Sequence, residues 1–371
     1  MAASQKSNTN KKRLFRRFGF LTLVVVYIVI LAGGIVRSTG SGMGCPDWPK
    51  CFGSWVPPTG EAQLPLHFKE IYTAQRVKKS VRIANMLERM GFTNTAYILR
   101  TDPSIRQEQP FNVVKTWIEY INRLAGALTG LFIVTAFALS FVYWKTDKFI
   151  VLLSAGSVAL VGFQGWIGSI VVAANLMPFT VTLHMALAIL LVWLIIYTLA
   201  RAEHGTGRVK SNAPLRQVQF AAWFVFALTF IQVMIGTDVR EEVDIITASS
   251  GGSHNNIMYR LGTSYLVHRA FSVLVLASCF GVVRAIRLSY PMGHSMRSMA
   301  WILFVLLLLE PLVGIGMAAF DLPAFLQPVH LTLATIIIGL VLYIAVKAGY
   351  GFDKSEAFSS VAGKMAGTAV S

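Results

Sequence analysis

Charge is scarce in this chain. Asp, Glu, Lys and Arg make up only 13% of its 371 residues, and just 17 residues are acidic. Soluble domains carry about one quarter charged residues, so the shortage excludes an ordinary water-facing surface. Breaks in the apolar pattern are few as well. Eight stretches, near 18–36, 117–144, 149–173, 179–200, 216–236, 264–288, 298–320 and 324–348, match the roughly 20 apolar residues that crossing a bilayer requires. Lipid offers no hydrogen bonds to bare backbone, so these stretches must be helical. They are too long for the strands of a membrane barrel. The expected fold is an all-α integral membrane protein with eight transmembrane helices.

Two other signals are missing. No small-x-small cleavage site follows the basic and apolar start of the chain, so the first span is expected to stay in place. No Arg- and Ser-rich transit segment precedes it, and the expected location is a bacterial inner membrane. The net charge of +16 does not argue for nucleic acid, because Lys and Arg gather at the cytoplasmic edges of membrane proteins. Lys11, Lys12, Arg13, Arg16 and Arg17 precede the first span, and Lys145 and Lys148 follow the second. Arg201, Arg208, Lys210 and Arg216 follow the fourth, and Arg284, Arg287 and Arg297 follow the sixth. Both termini are therefore expected in the cytoplasm, with the odd-numbered loops outside. The basic loop 37–116 breaks the alternation, but long loops are largely exempt from the rule.

Cysteine is rare, with three in the chain. Cys45 and Cys51 flank the turn Pro46-Asp47-Trp48-Pro49-Lys50 outside the first span. The spacing fits neither covalent haem attachment nor the usual zinc patterns. Two prolines favour a compact turn, and the outer side is oxidising, so a disulfide is expected. Cys279, inside the sixth span, is expected only to pack. Within the same loop, residues 66–110 read as an insertion. Ile71, Val77, Val81 and Met90 are expected to form the apolar stripe of a basic amphipathic helix lying on the membrane surface.

An offset of 146 relates two halves of the chain. It maps His184 to His330, Leu187 to Leu333, Ala188 to Ala334, Gly168 to Gly314, Leu176 to Leu322 and Arg123 to Arg269. With a second offset, Gly33-x-x-Val36-Arg37 echoes Gly236-x-x-Val239-Arg240. Four spans return a chain to its starting side, so the halves are expected as two parallel pseudo-repeated four-helix bundles. The expected division is a basic tail 1–17, a first half 18–200, a cytoplasmic linker 201–215, a second half 216–348 and a disordered tail 349–371.

Polar residues inside spans are expensive and usually functional. A lone histidine there reads most simply as a hydrogen-bonding partner for a neighbouring helix. His268 and His330 are instead a pair, 62 residues apart and near the outer ends of their spans. Two neutral imidazoles on facing helices can ligate a haem iron from both sides. In the first half His184 matches His330, but Asn122 stands where His268 would map. An Asn amide is a poor iron ligand, so that half is expected to hold a haem by one histidine. Glu119, three residues earlier on the same helix face, matches Tyr265. Arg37, Arg123, Arg240 and Arg269 are candidates for the haem propionates, since arginine grips carboxylates bidentately; membrane-edge snorkelling is the alternative. Gln164 and Glu310 correspond, and Glu310, before Pro311, is expected to hydrogen-bond at a helix kink.

These segments resemble the haem A synthase family, which acts in cytochrome oxidase assembly. The resemblance runs through Gly33–Gly42, the Cys45–Cys51 turn, Glu119-Tyr120-Ile121-Asn122-Arg123, Gln164-Gly165, His184, Gly236–Arg240, His268-Arg269 and His330. It implies oxidation of a haem O methyl group to the formyl group of haem A by successive hydroxylations. It further implies a haem b between His268 and His330, the substrate haem in the first half, and a catalytic role for Glu119. Haem O synthase and an electron donor are the implied partners, with homo-oligomerisation left open. The chain departs from the family at Asn122, where His is usual, and at the insertion 66–110. An electron-carrying membrane cytochrome b and a haem transporter are the alternatives.

Overall fold

The computed structural model describes residues 2–101, 103, 110–173, 178–205, 213–249 and 257–350. Leu176, Arg208, Lys210 and nearly all of the tail after residue 349 lie outside the described residues. Among the described residues there are eleven α-helices. Eight of them are long and apolar enough to cross a membrane: α1 (Ala2–Ser38), α4 (Val113–Ser140), α5 (Lys148–Ala173), α6 (Pro178–His204), α7 (Ala213–Ser249), α9 (Thr263–Ser289), α10 (Ser295–Ala319) and α11 (Leu326–Tyr350). The others are α2 (Phe68–Arg89), α3 (Thr93–Thr101) and the short α8 (Ile257–Arg260).

All eight expected spans are present. Two run further than hydropathy alone suggests. Helix α1 begins near the chain start, and α7 continues past residue 236 through Asp238, Arg240, Glu241, Glu242 and Asp244. Arg240 and Asp244 pair one turn apart at 2.7 Å, and Glu242 accepts the Gly262 N–H that leads into α9. Charged partners thus carry the helix beyond the apolar run, where hydropathy has no signal.

Each half closes into a four-helix ring. Helix α1 packs on α4, α4 on α5, α5 on α6 and α6 back on α1; α7, α9, α10 and α11 close in the same cyclic order. The two rings meet along α1, α6 and α11. Tyr27 of α1 donates to the Thr335 carbonyl of α11 at 3.3 Å, and Thr182 of α6 donates to Thr237 of α7 at 3.3 Å. The buried core of the second half includes Val218, Val225, Ile286, Met296, Leu303 and Val341. The outward faces stay apolar too, with Phe220, Trp301, Leu312 and Ile315 exposed. In lipid these gain nothing by leaving the surface, so helix association rests on close van der Waals fit and interhelical hydrogen bonds.

Packing within the protein uses a face of the insertion other than the expected apolar stripe. Helix α2 buries Tyr72, Arg76, Ser80 and Ala84 at four-residue spacing, while Ile71, Val81 and Met90 are exposed. The reason is a local core. Tyr72 meets Phe52 edge-on beside the disulfide turn, and Ala84 and Ala96 are small enough for α2 and α3 to touch. Arg100 of α3 donates to Asn85 of α2 at 2.7 Å and also binds Glu88; that hydrogen bond holds the Glu88 carboxyl below its ordinary range. The region is a helical hairpin seated on the outer loop.

At Gly34 of α1 the halves fit closely against backbone. A Cβ built there would lie 3.0 Å from Pro328 Cβ and 3.1 Å from Pro328 Cα in α11. Gly34→Val is expected to separate α1 from α11 at a cost of about 1–3 kcal/mol, as overpacking does, read as a lower thermal unfolding midpoint in detergent. Gly126→Ala, at a site with no neighbour within 4 Å, is expected to hold or raise that midpoint.

Candidate functional site

The two second-half histidines face one another across the bundle. His268 on α9 and His330 on α11 have ring centroids 6.4 Å apart, with planes inclined at 71°. Metal–imidazole bonds are about 2 Å long, so one metal ion between two rings calls for centroids about 6 Å apart. The observed separation fits a bis-imidazole metal sandwich. Each ring lies against a glycine of another helix. A Cβ on Gly236 of α7 would sit 3.1 Å from Cε1 of His268, and one on Gly314 of α10 would sit 3.4 Å from Cε1 of His330. At Gly236 a Cβ would crowd the ring, while at Gly314 it would make an ordinary van der Waals contact.

A polar side chain precedes each of these glycines by four residues and lies beside the same histidine. Gln232 Nε2 is 3.2 Å from Nδ1 of His268 and donates to its carbonyl at 3.0 Å. Glu310 Oε1 is 3.2 Å from Nδ1 of His330. Helix α10 continues through Pro311, and the Glu310 carboxyl reaches across to α11.

The first half repeats half of this arrangement. The ring of His184 on α6 lies against Gly168 of α5, where a Cβ would sit 3.6 Å from Cε1. Gln164, four residues before that glycine, donates to the His184 carbonyl at 3.0 Å. The remaining quadrant is different. Asn122 on α4 is half-buried, and a Cβ on Gly33 of α1 meets nothing within 4 Å. Four residues before Gly33 stands Val29, where Gln232 stands in the second half. This quadrant lacks both the imidazole and its polar neighbour.

A capped turn covers the outer end of the first half. Cys45 and Cys51 are disulfide-bonded and fully buried, with Cα atoms 4.9 Å apart. Glu119 of α4, 3% exposed, accepts the Cys45 N–H at 2.8 Å and pairs with Arg123 one turn below. Arg123 also donates to the carbonyls of Cys45, Asp47 and Lys50. Gly44 presses on α4 so closely that a Cβ would fall 2.6 Å from the Lys115 carbonyl oxygen. Arg123, proposed from sequence for a propionate, is thus engaged with the turn. Arg37 and Arg240, one from each half, converge on Asp244 at 2.9 and 2.7 Å, and Arg240 also binds Gln327. Arg269 is exposed beside His268. Cys279 is buried and unbonded, as expected of a packing residue.

Sequence reasoning missed Gln232, Asp244 and Gln327, and did not place Glu310 beside His330. For two of the four, Gln232 and Glu310, a signal existed. Gln164-x-x-x-Gly168, Gln232-x-x-x-Gly236 and Glu310-x-x-x-Gly314 are one pattern, and each occurrence lies against a histidine of the next helix. Asp244 and Gln327 had no such signal, because their partners are set only by packing.

The fold defines a polytopic membrane bundle with inward-facing histidines. The family described as cytochrome oxidase assembly protein (COX15-CtaA) matches residues 16–97 and 92–342, and the chain belongs to that family. It is similar to proteins named haem A synthase: 27% identical over 218 residues to that of Shewanella oneidensis, covering 58% of this chain and 54% of the relative, and 26% identical over 242 residues to that of Brucella ovis, covering 62% and 58%. The match thus spans a little over half the length of these relatives.

Removing one member of a buried ion pair strands the other and costs about 3–5 kcal/mol. Arg123→Leu also frees three carbonyls of the disulfide turn. The variant is expected to unfold at markedly lower temperature and to lose the Cys45–Cys51 bond to dithiothreitol faster than the parent, measured by alkylation and mass mapping.

Proposed function

We propose that this protein is a haem A synthase, an oxidoreductase that converts a methyl group of haem O into the formyl group of haem A. The second half binds a haem b between His268 and His330. The first half is the reaction site, with His184 as its imidazole ligand and Glu119 as its carboxyl group. The observation that carries the reading is the inequality of the quadrants. Three of them pair an inward histidine with a glycine and a polar neighbour, and the fourth has Asn122, Gly33 and Val29.

The chemistry follows from that inequality. His268 and His330 would hold a haem from both sides, which would suit electron transfer. A site with one imidazole leaves the opposite face for a substrate that must enter, react and leave. An electron carrier would want two equivalent sites, which Asn122 opposes. When bound, haem b supplies one-electron chemistry; His268 and His330 hold it, and the glycines behind them fix the ring positions. Arg37 and Arg240 already share one carboxylate, Asp244, so a propionate offers them the same chemistry. With Arg123 tied to the turn, Arg37, Arg240 and Arg269 are the stronger propionate candidates. Glu119 is built into the turn as well as pointing to catalysis, and the two roles separate on mutation. The reading places the protein in a bacterial inner membrane with both termini cytoplasmic, working beside a haem O synthase and an electron donor.

Expression with a haem O source, extraction of the bound haems and mass analysis are expected to give haem A; absence of any oxidised product would sink the reading. His268→Ala and His330→Ala are each expected to abolish the low-spin b-type absorption, while His184→Ala leaves it in place. Glu119→Gln keeps an acceptor for the Cys45 N–H and a partner for Arg123. It is expected to retain haem b while slowing haem A formation about 100-fold or more, the scale of a lost positioned acid or base. Full turnover in Glu119→Gln would leave Glu119 as an anchor of the turn.

A further inference from the structure

Two corresponding polar residues treat their histidines differently. Gln164 donates its amide to the main-chain carbonyl of His184, and Nδ1 of His184 is buried without a hydrogen-bond partner. Glu310 instead brings Oε1 to 3.2 Å from Nδ1 of His330, a close approach that a small rotation of either side chain turns into a hydrogen bond. The two side chains are 17% and 24% exposed, so water competes weakly for the contact. Gly314, one turn along α10 from Glu310, faces the same ring, and a Cβ there would be in van der Waals contact with it at 3.4 Å.

We propose that Glu310 is a positioning residue for His330, accepting its Nδ1–H, fixing the tautomer that offers Nε2 to iron, and making that nitrogen a stronger donor than the ring of His184. The proposal rests on the haem reading above and deepens it. An imidazole whose far nitrogen donates to an oxygen acceptor is a more basic ligand with a fixed orientation. A more basic axial ligand favours ferric iron and lowers the reduction potential. The residue that differs between the halves, Glu310 against Gln164, therefore biases the second half towards giving electrons and the first towards receiving them.

The test is redox titration of the purified, haem-loaded full chain, followed by absorption and electron paramagnetic resonance. Glu310→Leu removes the acceptor and is expected to shift the second-half midpoint upward and to alter the low-spin signal. Glu310→Gln keeps an oxygen acceptor but not the carboxyl group, and is expected to hold the haem with a midpoint between those of the parent and Glu310→Leu. Loss of the second-half haem in Glu310→Leu with retention in Glu310→Gln also supports positioning. If neither variant folds, Gln164→Glu decides the matter: a lower first-half midpoint supports the proposal, and an unchanged one overturns it. An unchanged midpoint and signal in folded, haem-loaded Glu310→Leu overturns the role of Glu310 alone. A parent protein with no low-spin haem, or one indifferent to His330→Ala, overturns the haem reading and this proposal together.

Discussion

Each inward imidazole lies against a glycine on another helix, and the rest of the site depends on that approach. A Cβ would stand 3.1 Å from the His268 ring at Gly236, and 3.4 and 3.6 Å from the other two rings, so a methyl group already fills the contact and anything larger would push the rings away. In lipid no hydrophobic drive pulls apolar helices together. Small residues and interhelical polar contacts decide which faces meet. Gly168, Gly236 and Gly314 use this rule to seat rings, and Gly34 uses it against Pro328 to seat one half on the other. Holding two rings 6.4 Å apart needs rigid helices, because an ion bridging them tolerates only a few tenths of an ångström of error.

The polar residues four positions before those glycines complete the arrangement. On a helix this spacing puts both residues on one face, so the glycine makes the gap and the amide or carboxyl closes its edge. A bare imidazole nitrogen in a membrane interior is costly unless paired or bound to metal. The unpartnered Nδ1 of His184 and the contact of Glu310 with His330 are two answers to the same constraint, on two halves with the same helix order. Where Asn122 removes the ring, Val29 removes the polar neighbour as well. Once no imidazole needs orienting, a buried amide brings only desolvation cost.

The outer surface follows a different logic. Water and an oxidising environment allow a disulfide turn, and the turn is held by charge rather than by apolar packing alone. Glu119 and Arg123, one turn apart on α4, bind the backbone on both sides of Cys45, so a pair on a transmembrane helix fixes an extramembrane loop directly over the first half. The hairpin α2–α3 adds a small core of its own on top of that turn. Its buried stripe of Tyr72, Arg76, Ser80 and Ala84 was not the stripe expected from hydrophobicity. Contact with Phe52 selects an aromatic and small residues, and apolar pattern alone cannot see a partner contributed by another loop.

The eight spans, the two halves, the disulfide pair and the three inward histidines were legible in the sequence. Each rests on a one-dimensional signal: run length against bilayer thickness, a fixed offset between matching residues, or a short loop between cysteines. The Asn122 substitution was legible for the same reason, because a repeat exposes its own exception. Tertiary structure alone decided the 6.4 Å ring spacing, the approach of Glu310 to His330, the capture of Arg123 by the disulfide turn, and the meeting of Arg37 and Arg240 on Asp244. These depend on how helices rotate and approach in three dimensions. Hydropathy does not encode rotation, and a side chain's partner is settled only when the backbone that carries it has been placed.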